Sequence, residues 1–184
     1  MMTISEKGES MYLLSLYFDE KTDARIRQYI NAVAKRTGNT YMPDGNVPPH
    51  ITLSAFESKQ ESLVIERLNI CLDSVQKGTI HFASVGAFFP NVIYLSPVLN
   101  AYLHQLSVSV YDAVKDVEDT LVRKCYQPFS WLPHATIGKK LSEDEMKIAF
   151  EVIQGSFGMF SGEVVGAGLA KTNPYKDVVM WELG

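Results

Sequence analysis

A doubled Pro-His-x-Thr phrase is the feature that most limits what this chain can fold into. The stretches PPHITL and LPHATI each place a threonine two residues after a histidine, at His50–Thr52 and at His134–Thr136. The chain has four histidines, and the other two lack the phrase. Two copies that lie 84 residues apart in a chain of 184 residues indicate an internal repeat.

The segments around the two motifs repeat the same order of predicted elements. Each motif is typical of a short strand, and a Ser-x-x-Glu capping box opens a helix eight residues after each histidine. The boxes are Ser58–Glu61 and Ser142–Glu145, and Tyr12 and Tyr94 lie in corresponding apolar strands. The pattern predicts a single domain of two packed lobe-forming repeats, at approximately 11–90 and 91–184. An α+β domain with fortuitous likeness between its halves explains the shared offsets less well.

The composition is that of an ordinary globular domain. The chain is 46% hydrophobic and 21% charged, with a net charge of −4, which argues against a protein that coats long nucleic acid. We expect a cytoplasmic protein, because the sequence shows no signal peptide or membrane span and its two cysteines lack metal-type spacing. Neither a membrane nor an obligate protein partner is expected.

The motif residues suit phosphate-ester chemistry. Side chains alternate along a strand, so we expect His50, Thr52 and Ser54 to share one face of their strand. We expect His134 and Thr136 to share one face of theirs. If the repeats face each other, two imidazoles and two hydroxyls converge in one cleft. A histidine pKa near 6.5 lets one ring act as a base while the other acts as an acid. Threonine hydroxyls can donate hydrogen bonds to phosphate oxygens. This scheme requires no metal or nucleotide cofactor, so none is expected.

A single histidine or threonine on a strand is more often structural, but the doubled motif favours a site. Other site chemistries fit the sequence poorly. The chain has no zinc-type ligand spacing, no Gly-x-Ser-x-Gly turn, no P-loop and no dinucleotide-binding glycine motif.

At these residues the chain resembles the 2H phosphoesterase superfamily, which includes 2′-5′ RNA ligases and 2′,3′-cyclic phosphodiesterases. The matching motifs are His50-Ile51-Thr52-Leu53 and His134-Ala135-Thr136-Ile137. The resemblance implies a bilobal α+β fold, with two antiparallel sheets lining a central cleft and helices outside. It also implies that His50 and His134 are the acid–base pair and that Thr52 and Thr136 bind the phosphate.

The resemblance suggests further substrate-binding residues. Related ligase-like proteins often carry a basic residue five positions after the second histidine, which is Lys139 here. Strict alternation would instead place Lys140 on the His134 face. Tyr175 matches a tyrosine that precedes the last strand in family members. We expect a locally positive cleft, to which Lys139 or Lys140 contributes, and we expect the loop at 39–47 to form a cleft wall.

Three functions remain open from the sequence. The first is a hydrolase of RNA processing, a cyclic phosphodiesterase that acts on an RNA end or a small nucleotide, with or without 2′-5′ ligase activity. The second is a non-catalytic module that binds such ligands, and the third is a purely structural domain. The sequence leaves the substrate and the oligomeric state open, as well as which histidine is the acid.

Overall fold

Strands and helices alternate along the chain in a computed structural model that describes residues 10–172 and 175–184. The strands are β1 (Ser10–Phe18), β2 (His50–Ser58), β3 (Gly78–Phe88), β4 (Val92–Pro97), β5 (Thr120–Val122), β6 (Ala135–Lys139), β7 (Phe160–Lys171) and β8 (Lys176–Glu182). The helices are α1 (Glu20–Thr37), α2 (Tyr41–Gly45), α3 (Glu61–Leu72), α4 (Ala101–Val114) and α5 (Glu143–Ser156). None of the described helices is both long enough and apolar enough to span a bilayer.

All strand pairs are antiparallel, in the order β5-β2-β1-β7-β3-β4-β6, and β8 pairs with β7. The α+β class and the antiparallel pairing are therefore confirmed. The strands form one hydrogen-bonded sheet rather than the two separate sheets that we expected. Strand β7 causes this difference, because its 12 residues are enough to pair with β3 at one end and with β1 and β8 at the other.

The two predicted repeats exchange strands. Strand β3 of the first repeat pairs with β4 and β7 of the second, and β7 also pairs with β1. That the repeats form two lobes of a single domain stays a prediction.

The two faces of the sheet have different roles. On one face, Leu14 and Leu16 of β1 and Ile93 and Leu95 of β4 are fully buried in the hydrophobic core. Helix α1 contacts β1, β6 and β7, and α4 contacts β2, β3 and β5. The opposite face of β1 presents Tyr17 to a cavity. Burial of the apolar face supplies most of the folding free energy, at about 25 cal/mol per Å², which leaves the second face for polar residues.

One of the two predicted capping boxes is present. The Ser142 side chain accepts from the backbone N–H of Glu145, whose carboxylate accepts from the Ser142 N–H. The prediction for Ser58 is wrong, because β2 continues through Ser58 and α3 starts without a side-chain cap. Glu61 instead forms a 2.6 Å ion pair with Lys171.

Tyr12 and Tyr94 lie in corresponding strands, because β1 pairs with β2 as β4 pairs with β6, but they do not occupy corresponding positions. Tyr12 is buried in the core, whereas Tyr94 lies across from Thr136. Ser15 lies across from Thr52 in the same way, so Ser15 and Tyr94 occupy the corresponding positions.

Candidate active site

The strands that carry the two motifs lie next to each other, although they are far apart in sequence. Cα atoms of β2 and β6 approach within 8 Å. The buried indole of Trp131 donates a 3.0 Å hydrogen bond to the backbone carbonyl of Thr52, and so connects the segment before the second motif to β2. The charge of His134 acts on His50 and lowers its pKa. The two imidazoles therefore lie within electrostatic reach of each other.

Both imidazoles are held in the same way. Nδ1 of His50 lies 2.8 Å from the carbonyl oxygen of Pro48, and Nδ1 of His134 lies 2.9 Å from that of Leu132. A carbonyl oxygen only accepts hydrogen bonds, so each Nδ1 carries a proton. In a neutral ring Nε2 is then unprotonated, and it is the nitrogen that can take or give a proton. The repeat thus produces two imidazoles of the same tautomer.

A β-bulge follows each His-x-Thr sequence at the same position. Along the β1–β2 pair the register shifts by one residue at Leu53, and along the β4–β6 pair it shifts at Ile137. Each bulged residue is the third after its histidine. A bulge inserts one extra residue, so every side chain beyond it moves to the opposite face of the sheet.

The first bulge corrects the predicted position of Ser54. His50 and Thr52 share a face, as expected, since they lie across from Tyr17 and Ser15. Ser54, however, lies across from the core residue Leu14 and is itself buried. Ser54 therefore belongs to the core face and not to the site.

The second bulge decides between the two candidate lysines. Thr136 lies across from Tyr94, and Lys139 lies across from Val92, two positions away and on the same face. Strict alternation fails here because Ile137 is the extra residue. Lys139 lines the same cavity as His50, and its charge lowers the pKa of His50. The ammonium of Lys140 instead lies 4.3 Å from the centre of the Tyr41 ring.

Burial is the main influence on both imidazoles. It lowers the pKa of His50 and the pKa of His134 below the ordinary value of 6.5, because a low-polarity environment disfavours the imidazolium. The carbonyls of Pro48 and Leu132 oppose this effect by accepting from Nδ1. The positive charges of His134 and Lys139 lower the pKa of His50 further.

The motif hydroxyls differ in their surroundings. Thr52 is buried, and its side chain is hydrogen-bonded to the phenol of Tyr126. Thr136 is half-buried. A hydroxyl can donate one hydrogen bond and still accept another. When the Tyr126 phenol donates to Thr52, the Thr52 hydroxyl keeps its own proton for a phosphate oxygen, and the Thr136 hydroxyl can donate in the same way.

Aromatic rings flank each histidine. The Tyr17 ring centre lies 6.3 Å from that of His50, and Phe88 and Tyr94 lie 4.8 and 5.2 Å from His134. Gly86 makes room for Tyr94, because a Cβ at this position would come within 2.5 Å of the tyrosine ring. These contacts restrict the orientations open to both imidazoles.

A cavity of about 1150 Å³ opens beside His50. Lys139 and Tyr175 line it, as do Tyr41 and Val47 of the predicted wall at 39–47. His134, Thr52 and Thr136 are not among its lining residues, although Thr52 lies on β2 with His50 and Thr136 lies on β6 with Lys139. Three carboxylates also line the cavity, those of Glu20, Asp23 and Asp177. Among the described residues that line the cavity, the positive charge of Lys139 is therefore outnumbered by carboxylates, which differs from the locally positive cleft that we expected.

Three contributors were not found by sequence reasoning. Trp131 connects the motifs, Tyr126 binds Thr52, and Tyr17 lies beside His50. Trp131 lies two residues before Pro133, and this closeness to the second motif was the sequence signal for it. No short sequence pattern marks a cross-strand neighbour. Among the described residues, no group of three His, Cys, Asp or Glu side chains is arranged to hold a metal ion.

Trp131→Phe is expected to weaken the fold and the site together. The substitution keeps an aromatic ring but removes the N–H that satisfies the Thr52 carbonyl. Leaving a buried carbonyl unpaired costs about 1–3 kcal/mol, so urea unfolding should show a loss of this size, with lower turnover. Trp181→Phe is the matched control, because the Trp181 indole donates to the exposed Asn69 side chain. Equal losses in both variants would argue against a special role for Trp131.

Comparison with known proteins gives a consistent family. The sequence profile of the 2′-5′ RNA ligase superfamily matches residues 20–173. A protein of Bacillus mycoides (strain KBAB4), named as a phosphoesterase, is 30% identical over 125 residues, which are 65% of this chain and 66% of that relative. A Bacillus licheniformis protein, also named as a phosphoesterase, is 28% identical over 126 residues, which are 66% of this chain and 68% of that relative.

Solved structures show the same fold. E. coli LigT complexed with 3′-AMP superposes with a TM-score of 0.63 at 15% identity, covering 96% of this chain and 99% of LigT. LigT complexed with NADP⁺ superposes with a TM-score of 0.58 at 15% identity, and the match covers 96% of this chain and 99% of LigT. The profile match extends over most of the chain and includes both histidine motifs. The chain therefore belongs to the 2′-5′ RNA ligase superfamily, which agrees with the resemblance of its paired motifs to those of the 2H phosphoesterases.

Proposed function

We propose that this protein is a metal-independent phosphodiesterase that opens a 2′,3′-cyclic phosphate, at an RNA end or on a small nucleotide, by two-histidine acid–base catalysis. His50 and His134 exchange the protons, and Thr52 and Thr136 bind the phosphate oxygens. Lys139 and Tyr175 contact the substrate. Family membership supports a phosphoesterase, and LigT was crystallised with the nucleotides 3′-AMP and NADP⁺.

The observation that carries the proposal is the matched pair of imidazoles. Each Nδ1 is committed to a backbone carbonyl two residues earlier, which leaves each Nε2 for the reaction. A purely structural histidine has no need of a second one in the same tautomer on a neighbouring strand.

The reaction needs one neutral imidazole and one protonated imidazole. The neutral ring takes a proton from water at Nε2 as the water oxygen forms a bond to phosphorus. The bond from phosphorus to one ribose oxygen breaks, and the imidazolium gives its Nε2 proton to that oxygen. The product is a phosphomonoester, and the two rings have exchanged charge states. With an RNA hydroxyl in place of water, the same steps form a 2′-5′ bond without ATP, because the number of phosphodiester bonds is unchanged.

A panel of substrates tests this function. Purified protein is incubated with EDTA and with 2′,3′-cyclic nucleotides, 2′-5′ dinucleotides or ADP-ribose cyclic phosphate. We expect ring opening of at least one cyclic phosphate. The competing function, a binding module without turnover, predicts saturable binding of the same compounds and no product. Cytoplasmic location stays a prediction that localisation of the tagged protein would test.

The pH dependence of kcat/KM should report both rings. One ring must be neutral and the other protonated, so we expect a bell-shaped profile. Both histidine pKa values lie below 6.5, and the alkaline limb should therefore lie below pH 6.5 as well. Lys139→Ala removes a positive charge that lowers the pKa of His50, so that pKa rises and one limb moves to higher pH.

Lys140→Ala is the matched control for this shift, because Lys140 lies against Tyr41. Its profile should coincide with that of the unmodified protein. A limb that moves equally in both lysine variants would contradict the assignment of Lys139 to the site.

A further inference from the structure

The cavity beside His50 is lined by charges of both signs. Lys139 lies close enough to lower the pKa of His50. Asp177 of β8 lies close enough to raise the pKa of Tyr17. Among the described residues that line the cavity, Lys139 is the single lysine or arginine. Lys140 contacts its wall at Tyr41, and Arg27 pairs with Asp23 and reduces that carboxylate's effect.

A chain of hydrogen bonds leads from Tyr17, the cross-strand neighbour of His50, to Asp177. Tyr17 lies directly across from His50 on β1 and is hydrogen-bonded to Tyr175. The Tyr175 hydroxyl donates a 2.8 Å hydrogen bond to Asp177 Oδ1. A carboxylate only accepts, so the Tyr175 proton points to Asp177 and Tyr17 donates to Tyr175. The order along the cavity is therefore Lys139, His50, Tyr17, Tyr175, Asp177.

Gly168 keeps this end of the cavity open. A Cβ at this position would come within 2.8 Å of the Tyr17 ring, so only glycine leaves the ring where it is. Exposed Asp177 retains lone pairs that the Tyr175 bond does not use. Hydroxyl and amino groups of a ligand can donate to these oxygens, whereas a phosphate is repelled by them.

We propose that Asp177, held in place by Tyr175, is a specificity-determining residue that selects substrates whose only phosphate is the one that reacts. The proposal rests on the cyclic phosphodiesterase function. The reacting phosphate lies at His50 and Lys139, and the uncharged part of the nucleotide, with its sugar hydroxyls or base amino groups, extends over Tyr17 toward Asp177. A second phosphate on that part would meet the carboxylate of Asp177.

Two substrates that differ in one phosphate test the proposal. Hydrolysis of adenosine 2′,3′-cyclic phosphate is compared with that of the same nucleotide carrying a 5′-phosphate. We expect the unmodified protein to prefer the free 5′-hydroxyl by about 10-fold in kcat/KM, mainly through KM, because like charges repel across a few ångströms of partly screened solvent. Added salt should reduce this preference.

Asp177→Asn should reduce the preference to less than about 3-fold, since an amide keeps the shape and removes the charge. Asp116→Asn, the same change at an exposed carboxylate outside the cavity, should leave the preference intact. Tyr175→Phe removes the hydrogen bond that positions Asp177, and should give an intermediate value.

The outcomes separate this proposal from the function on which it rests. If neither nucleotide is hydrolysed, the cyclic phosphodiesterase function itself fails. If both are hydrolysed at equal rates, or if Asp177→Asn keeps the full preference, the function stands and the role of Asp177 is wrong. Circular dichroism of each variant confirms that the fold is intact.

Discussion

His50→Ala and His134→Ala are each expected to lower kcat by about 10²- to 10⁴-fold, which is the usual contribution of a positioned general acid or base. Each substitution removes one of the two Nε2 atoms that exchange protons with the substrate in the proposed reaction. The double variant should be only slightly slower than the slower single variant, because neither ring can complete the reaction without the other. Steady-state hydrolysis of a 2′,3′-cyclic nucleotide, with EDTA present, measures all three.

His81→Ala is the matched control for these variants. His81 lies on β3, is exposed, and contacts Ser161 rather than the site. Its activity should equal that of the unmodified protein. Multiplicative losses in the double variant would indicate that the rings act independently, and turnover that survives either single substitution would contradict acid–base catalysis by the pair.

The second large effect is expected from the threonines. Thr52→Val and Thr136→Val should each lower kcat by about 10- to 1000-fold, since each removes one hydrogen bond to an oxygen that gains charge in the transition state. Valine keeps the β-branched shape, so the strands should form as before. Thr79→Val, on an exposed part of β3, is the control and should retain full activity.

The two threonine variants should differ in stability. Thr52 is hydrogen-bonded to Tyr126, so Thr52→Val leaves the half-buried phenol without this partner, at a cost of about 1–3 kcal/mol. Thr136→Val has no such expected cost. Full turnover in either variant, measured under conditions where it is folded, would contradict phosphate binding by that hydroxyl.

The two motif histidines could be proposed from the sequence, whereas their neighbours across the strands could not. The repeated Pro-His-x-Thr sequence was enough to propose His50 and His134, because each copy lies within four consecutive residues. The paired tautomers depend on the carbonyls of Pro48 and Leu132, which are also local. Trp131 and Tyr17 act across strands, and no local pattern records which strands become neighbours.

The bulges at Leu53 and Ile137 mark a second limit of sequence reasoning. Alternation places Ser54 on the site face and favours Lys140 over Lys139, and both expectations fail for the same reason. A bulge adds one residue to one strand only, and only the register against the partner strand shows where it lies. The expectation of two separate sheets differs from the structure for a related reason. Only the length and the pairing of β7 show that it joins β1 and β3 in one sheet.

The central claim is that both imidazoles act on one phosphate. The most direct measurement is an NMR titration of protein labelled with ¹⁵N-histidine, near pH 6, with a nucleoside 2′-monophosphate as the ligand. The account predicts that the Nε2 signals of His50 and His134 shift together, with one shared dissociation constant, while each Nδ1 stays protonated. A ligand that perturbs one ring only, or the two rings with separate constants, would contradict it.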